Sequence, residues 1–156
     1  MIKLLRIDHR LLHGQVAFSW SKQIGTDCIL LACDTLLNDN LRMTAIKMAK
    51  PSGIKVVAKT IDNAIKAIES GVTDKYKLFI VVESIKDANK IARALEIKEI
   101  NLGGTKPETG KQRLSTAVYV NEEETEILKE LIKDGFNVFT QMVPSDKRIE
   151  TKDLLK

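Results

Sequence analysis

Asp27-Cys-Ile-Leu-Leu-Ala-Cys33 is an apolar run with no polar alternation, bounded by Asp27 and Asp34. Such a run suits a strand buried on both faces, the situation of strands in parallel sheets covered by helices. Asn38 then offers a cap for a helix that must end before Pro51. The stretch reads as a strand followed by a helix.

Outward from this unit the same alternation recurs. Upstream, Ile2 to Ile7 reads as a first strand, the polar run Asp8 to His13 interrupts it, and Gly14 opens a helix toward Trp20. Downstream, Ile54 to Ala58 reads as a strand, and Ile61, Ala64, Ile65 and Ile68 at helical spacing precede a stop at Gly71. Leu78 to Val82 is the next strand. Ser84 with Asp87 starts a helix whose apolar face is Ile85, Ala88, Ile91 and Leu95. Ile97 to Leu102 and Ala117 to Val120 follow as strands. A helix through Ile127, Leu128, Leu131 and Ile132 stops at Gly135, and Asn137 to Val143 closes the sheet. Strands alternating with helices of this length imply βαβ crossovers. The expected fold is α/β, one domain over residues 1–156, with a mostly parallel central sheet and helices on both faces. Ligands of such sheets sit beyond the carboxyl ends of the strands, and Asp8 to Gly14 occupies one such end.

Composition narrows the function classes. The 156 residues are 44% hydrophobic and 29% charged, ordinary for a globular chain, and 4% aromatic residues leave little surface for stacking bases. A formal charge of +4 and pI near 9.0 favour an acidic partner or a phosphate ligand. Cys28 and Cys33 lie within the apolar run, so buried free thiols and a reducing compartment are expected. No apolar stretch reaches the roughly 20 residues needed to cross a bilayer, and the start lacks a secretory core, so the expected location is cytoplasmic.

Chemistry concentrates in Arg6-Ile-Asp-His-Arg-Leu-Leu-His-Gly-Gln-Val16, which holds both histidines of the chain, two arginines and Asp8 in one strand-to-helix connection. A neutral imidazole nitrogen is nucleophilic near neutral pH, whereas lysine is mostly protonated and serine needs a separate base. His13 can thus accept a phosphoryl group, with Arg10 and Arg6 neutralising its oxygens and the amides from Gly14 and Gln15 onward donating to them. Asp8 would support the arrangement by holding an arginine, a loop amide or a ring N–H. A solitary histidine would read as a polar loop residue. The cluster points instead to an anion site, of which phosphohistidine chemistry is one use.

The block resembles the R-I-D-D-R-L-I-H-G-Q-V signature of IIB components in the mannose/fructose/sorbose family of the phosphoenolpyruvate-dependent sugar phosphotransferase system. Asn38-Asp39 with Leu41-Arg42, Asn101-Leu-Gly-Gly104 and Gln141-Met-Val-Pro144 resemble family segments at corresponding places. The resemblance implies a phosphocarrier, a transferase subunit without cofactor or metal. His13 would take phosphate from a histidine of a IIA partner and pass it to a sugar held by membrane IIC and IID partners. Arg10 and Arg6 would contact phosphate, Asp8 would support them, and the chain would associate peripherally with the transporter, with self-association open. His9 stands where the family usually has a second aspartate, and Leu12 replaces isoleucine.

Other readings have less behind them. His9 and His13 stand four apart but follow a strand directly and lack the glutamate of a zincin helix. Gly104 to Gln112 places five residues between its glycines where a P-loop needs four, and Gln112 replaces the hydroxyl, so an exposed turn is expected there. Asp34, a lone carboxylate after a strand, reads as a helix-entry residue rather than an aspartyl-phosphate site. The competitor from another class is a non-catalytic module binding an anion or nucleic acid through the basic loop. Sparse aromatics and interspersed charge speak against nucleic acid as a partner.

Overall fold

In the computed structural model, which describes residues 1–155, the apolar run forms β2 (Cys28–Ala32) with every residue buried. Around it the chain runs β1 (Ile2–Asp8), α1 (Gly14–Ile24), β2, α2 (Asn40–Ala49), β3 (Lys55–Lys59), α3 (Ile61–Glu69), β4 (Leu78–Val82), α4 (Ile85–Leu95) and β5 (Glu99–Gly104). There follow β6 (Gln112–Ser115), β7 (Val118–Val120), α5 (Glu122–Lys133), β8 (Asn137–Thr140) and β9 (Ile149–Glu150). The central sheet has the order β3-β2-β4-β1-β5-β8-β9, parallel except for the antiparallel pairing of β9 with β8.

The alternation of side chains along each strand divides the core in two. Leu5 and Ile7 of β1 join Leu30, Ile80 and Ile100 beneath α3, α4 and α5, with Ile61, Ala64, Ile85, Ile91 and Leu128 packed on them. Leu4 faces the other way with Ile29, Leu31, Phe79 and Val81, covered by Leu12, Val16 and Trp20 of the α1 segment and Ile46 of α2. Cys28 and Cys33 are buried free thiols in the two separate halves. Arg6 and Asp8 lie in register with Leu4, on the α1 side. After β1 the chain leaves toward α1, and after the adjacent β5 it leaves toward the β6-β7 hairpin and α5. The two carboxyl ends therefore splay apart, the geometry that opens a crevice in α/β sheets.

Several expectations need correction. The cap of α2 is Asp39 rather than Asn38, its carboxylate accepting from the Arg42 amide at 3.1 Å. Asp34 does serve a helix entry, but that of α3, where it accepts from the Ile61 amide at 2.9 Å. Residues expected as turn before Ala117 form β6, paired antiparallel with β7. The strand expected over Asn137 to Val143 stops at Thr140, because the Gln141 and Met142 carbonyls turn to side chains, and β9 rather than β8 ends the sheet. No helix among the described residues is long and apolar enough to cross a membrane.

Candidate functional site

The β1–α1 connection is built on Asp8. Its Oδ1 accepts from the Arg10 amide at 3.0 Å and from Arg10 Nε at 3.1 Å, while Oδ2 accepts from Arg10 Nη2 at 3.1 Å and Arg6 Nη2 at 3.0 Å. A tight turn follows, closed by the Leu11 amide on the Asp8 carbonyl at 2.9 Å. Leu11 takes a left-handed φ of 58°, unfavourable for a branched side chain, and is held there by burial with Leu12 in the α1-side core. The chain then emerges at His13, which is exposed.

Burial by itself would push the Asp8 carboxyl up. The hydrogen bonds from Arg10 and the charge of Arg6 outweigh it and hold the group below the usual carboxylate range. Burial lowers the Arg6 guanidinium, with the Asp8 charge opposing. Burial also lowers His9, assisted by Arg10 and Lys106 and opposed by Asp8. The His9 amide donates to the Gly104 carbonyl at 3.1 Å, tying the loop to the end of β5, and its Nδ1 is buried without a partner.

His13 is the N-cap of α1 and makes no side-chain cap. The other four α-helices are all capped by side chains, Asp39, Thr60, Ser84 and Asn121, the last within a full capping box. The Ala17 amide donates to the His13 carbonyl at 2.8 Å, leaving the amides of Gly14, Gln15 and Val16 without protein acceptors among the described residues. No acidic residue occupies the first turn of α1. A Cβ at Gly14 would have ordinary space, 3.8 Å from the Ala49 carbonyl oxygen, which puts the end of α2 against the start of α1.

The expected site residues fall into two groups. Arg10, Asp8, His13, Gly14 and Gln15 gather in the loop and helix start. Arg10 is about one-third exposed, and its Nη1 has no protein partner among the described residues. Arg6, expected as a phosphate contact, is only 1% exposed. Its Nη1 donates to Asn101 Oδ1 at 2.6 Å and to the Gln141 carbonyl at 3.3 Å, and its guanidinium lies 5.6 Å from the centre of the Trp20 ring. It is a buried support for Asp8 rather than a group facing solvent.

Sequence reasoning assigned no role to the residues that make this possible. Asn101, fully buried, also donates to the Gln141 carbonyl at 3.0 Å. Gly103 must lack a side chain, since a Cβ there would overlap the Arg6 guanidinium. Trp20 Nε1 donates to the Met142 carbonyl at 2.9 Å, fastening α1 to the segment after β8. The available signal was Asn101, a polar residue inside an apolar strand, where a buried amide demands partners.

Comparison with known proteins identifies the family. The family model described as PTS system sorbose subfamily IIB component matches residues 2–156. The sorbose-specific EIIB component of Klebsiella pneumoniae is 30% identical over 153 residues, covering 97% of this chain and 93% of that protein. The mannose-specific EIIAB component of Escherichia coli is 30% identical over 99% of this chain and 48% of its own length. Among solved structures, the IIBSor domain of the Klebsiella pneumoniae sorbose permease superposes with a TM-score of 0.93 at 29% identity, over 99% of this chain and 96% of that one. With its fold and a match along essentially its whole length in common with them, the chain belongs to the sorbose-subfamily IIB components of the PTS, a family of sugar phosphotransfer.

Proposed function

We propose that His13 carries the phosphoryl group in this transfer, receiving it from a phosphohistidine of a IIA protein and yielding it to a sugar held by membrane IIC and IID partners. The observation that carries the reading is the exposed His13 at the one α-helix start among the described residues that lacks a side-chain cap, three residues beyond a fixed arginine. In the first step a lone pair on a His13 ring nitrogen forms a P–N bond as the donor's P–N bond breaks, and the donor histidine leaves as a neutral ring after proton balance with solvent. In the second, a sugar hydroxyl oxygen forms a P–O bond, the His13 P–N bond breaks, and the hydroxyl proton leaves. The equatorial oxygens carry the charge in a loose transition state. The free amides of Gly14, Gln15 and Val16 and the positive end of α1 are suited to receive those oxygens. Arg10 offers Nη1, while Asp8 holds the rest of that guanidinium rigid and Arg6 holds Asp8.

The test is phosphoryl transfer from phosphoenolpyruvate, through the general phosphotransferase proteins and a mannose-family IIA, followed by peptide mapping of acid-labile, alkali-stable label. Label is expected on the His13 peptide and lost in His13→Ala, with the melting temperature little changed because no side-chain cap is removed. Undiminished flux in His13→Ala would reject the reading, as would the absence of label with several competent donors. That second result would favour the non-catalytic anion-binding module.

A further inference from the structure

Helix α2 is a poor core helix: of its ten residues only Ile46 is buried. Leu41 is 83% and Met48 84% exposed, and Ala45 between them is exposed as well. Residues at i, i+4 and i+7 lie on one side of a helix, so these three form an apolar stripe facing solvent. The stripe is placed by two contacts. At the start of α2, Arg42 Nη2 pairs with Glu83 Oε2 at 3.0 Å just past β4. At its end, Ala49 meets Gly14, the residue after His13. The apolar stripe thus runs along the carboxyl edge of the sheet and ends at the reactive loop.

Its surroundings are basic. Neither α1 nor α2 contains an aspartate or glutamate, and Lys22, Lys47 and Lys50 are exposed without ion-pair partners among the described residues. Of the nearest acids, Asp39 caps α2 and Glu83 pairs with Arg42. On the opposite face, by contrast, Glu122, Glu123 and Glu124 cluster at the start of α5.

We propose that the Leu41–Ala45–Met48 stripe, rimmed by Lys47 and Lys50, is the docking surface for the phosphorylated donor protein. This rests on the carrier reading of His13. A phosphodonor presents a doubly negative group at the centre of its face, and a basic surface around the acceptor, whose nearby acids Asp8, Asp39 and Glu83 are already engaged, complements it. Once the group has moved to His13 the complementarity drops on both sides, which favours release. A second copy of this chain is a poor occupant, because a two-fold contact would set the same lysines against each other. A neutral sugar has no use for the charge.

The experiment uses the whole chain, a phosphorylated mannose-family IIA as donor, and phosphoramidate as a small donor that needs no docking. Leu41→Asp, Met48→Asp and their combination are compared with Val72→Asp, which alters an exposed apolar residue at the opposite edge of the sheet, beside Cys28 and Lys55. The double variant should lose about tenfold or more in kcat/KM with the IIA donor, through KM, as expected for an interface anchor. Val72→Asp should match the wild type, and phosphoramidate should label all four variants equally. Transfer from the donor within twofold of wild type would overturn the docking proposal while leaving His13 as carrier. Failure of phosphoramidate and donor alike to label the wild type would overturn the carrier reading itself. Loss of a dimer in sedimentation, or of binding to anionic phosphatidylglycerol vesicles, with donor kinetics intact, would assign the stripe to a second copy or to a membrane and reject the donor.

Discussion

Asp8 and Arg6 occupy alternate positions on β1, so the two-residue repeat of a strand puts both on the α1 side, where Leu4 points as well. Asn101 is the register partner of Arg6 on β5, and Phe139 of β8 is paired with Asn101. The buried network thus follows from strand order. Replacing Asp8 by asparagine keeps the shape and removes the charge, leaving the buried Arg6 guanidinium uncompensated. The expected cost is about 3–5 kcal/mol, measured by urea unfolding. The sign of the pH effect follows from the depressed Asp8 carboxyl. Its contribution is complete above the ordinary value of 3.8 and is lost as pH falls through the lower folded value. Asp8→Asn should therefore flatten the acid limb of stability, and an unchanged limb would show that Asp8 does not supply it. The motif revealed the charges, but the inward turn of Arg6 depended on Asn101 and on the absence of a side chain at Gly103, both distant in sequence.

Helices and strands with a strong local signal were legible. The run Cys28–Ala32 is buried throughout, Leu78–Val82 begins and ends as expected, and Ser84 caps α4 through the Asp87 amide. The short elements were not: β6 is largely exposed and β9 has two residues, so neither carries an apolar pattern, and each exists because a neighbouring strand offers an edge. Local preference also misplaced the α2 cap by one residue, since asparagine and aspartate cap about equally well and the turn geometry chooses between them. The exception among the caps is informative. A histidine at the start of α1 gives up stability that serine would supply. His13→Ser should raise stability by about 1 kcal/mol while abolishing phosphoryl transfer, read from urea unfolding and label on the same preparation. A serine variant no more stable than wild type would mean that water or the loop already satisfies the α1 amides.

At the scale of the molecule, the sheet keeps two unlike coats apart. The α3–α4–α5 coat mixes signs in pairs such as Lys90 with Asp62 at 2.8 Å and Arg93 with Asp134 at 2.9 Å, whereas α1 and α2 themselves contain no acid. The net charge of +4 is therefore unevenly spread: the acids of α3, α4 and α5 lie behind the sheet, while Asp8, Asp39 and Glu83 on the His13 side are already engaged. The scattered charges in the sequence concealed this; the crossover order sorts them, sending α1 and α2 to one face. Exposed charges act over about a Debye length, roughly 30 Å at 0.01 M salt and roughly 8 Å at 0.15 M. Across that range kcat/KM for transfer from a IIA donor should fall about tenfold, while the rate within the assembled complex stays constant. Lys47→Glu with Lys50→Glu should flatten the salt dependence, and Lys86→Glu with Lys90→Glu on α4 should leave it unchanged. If the α4 pair flattened it equally, association would respond to net charge alone. A difference between the pairs would show that the fold, by segregating charge, directs the donor to one face.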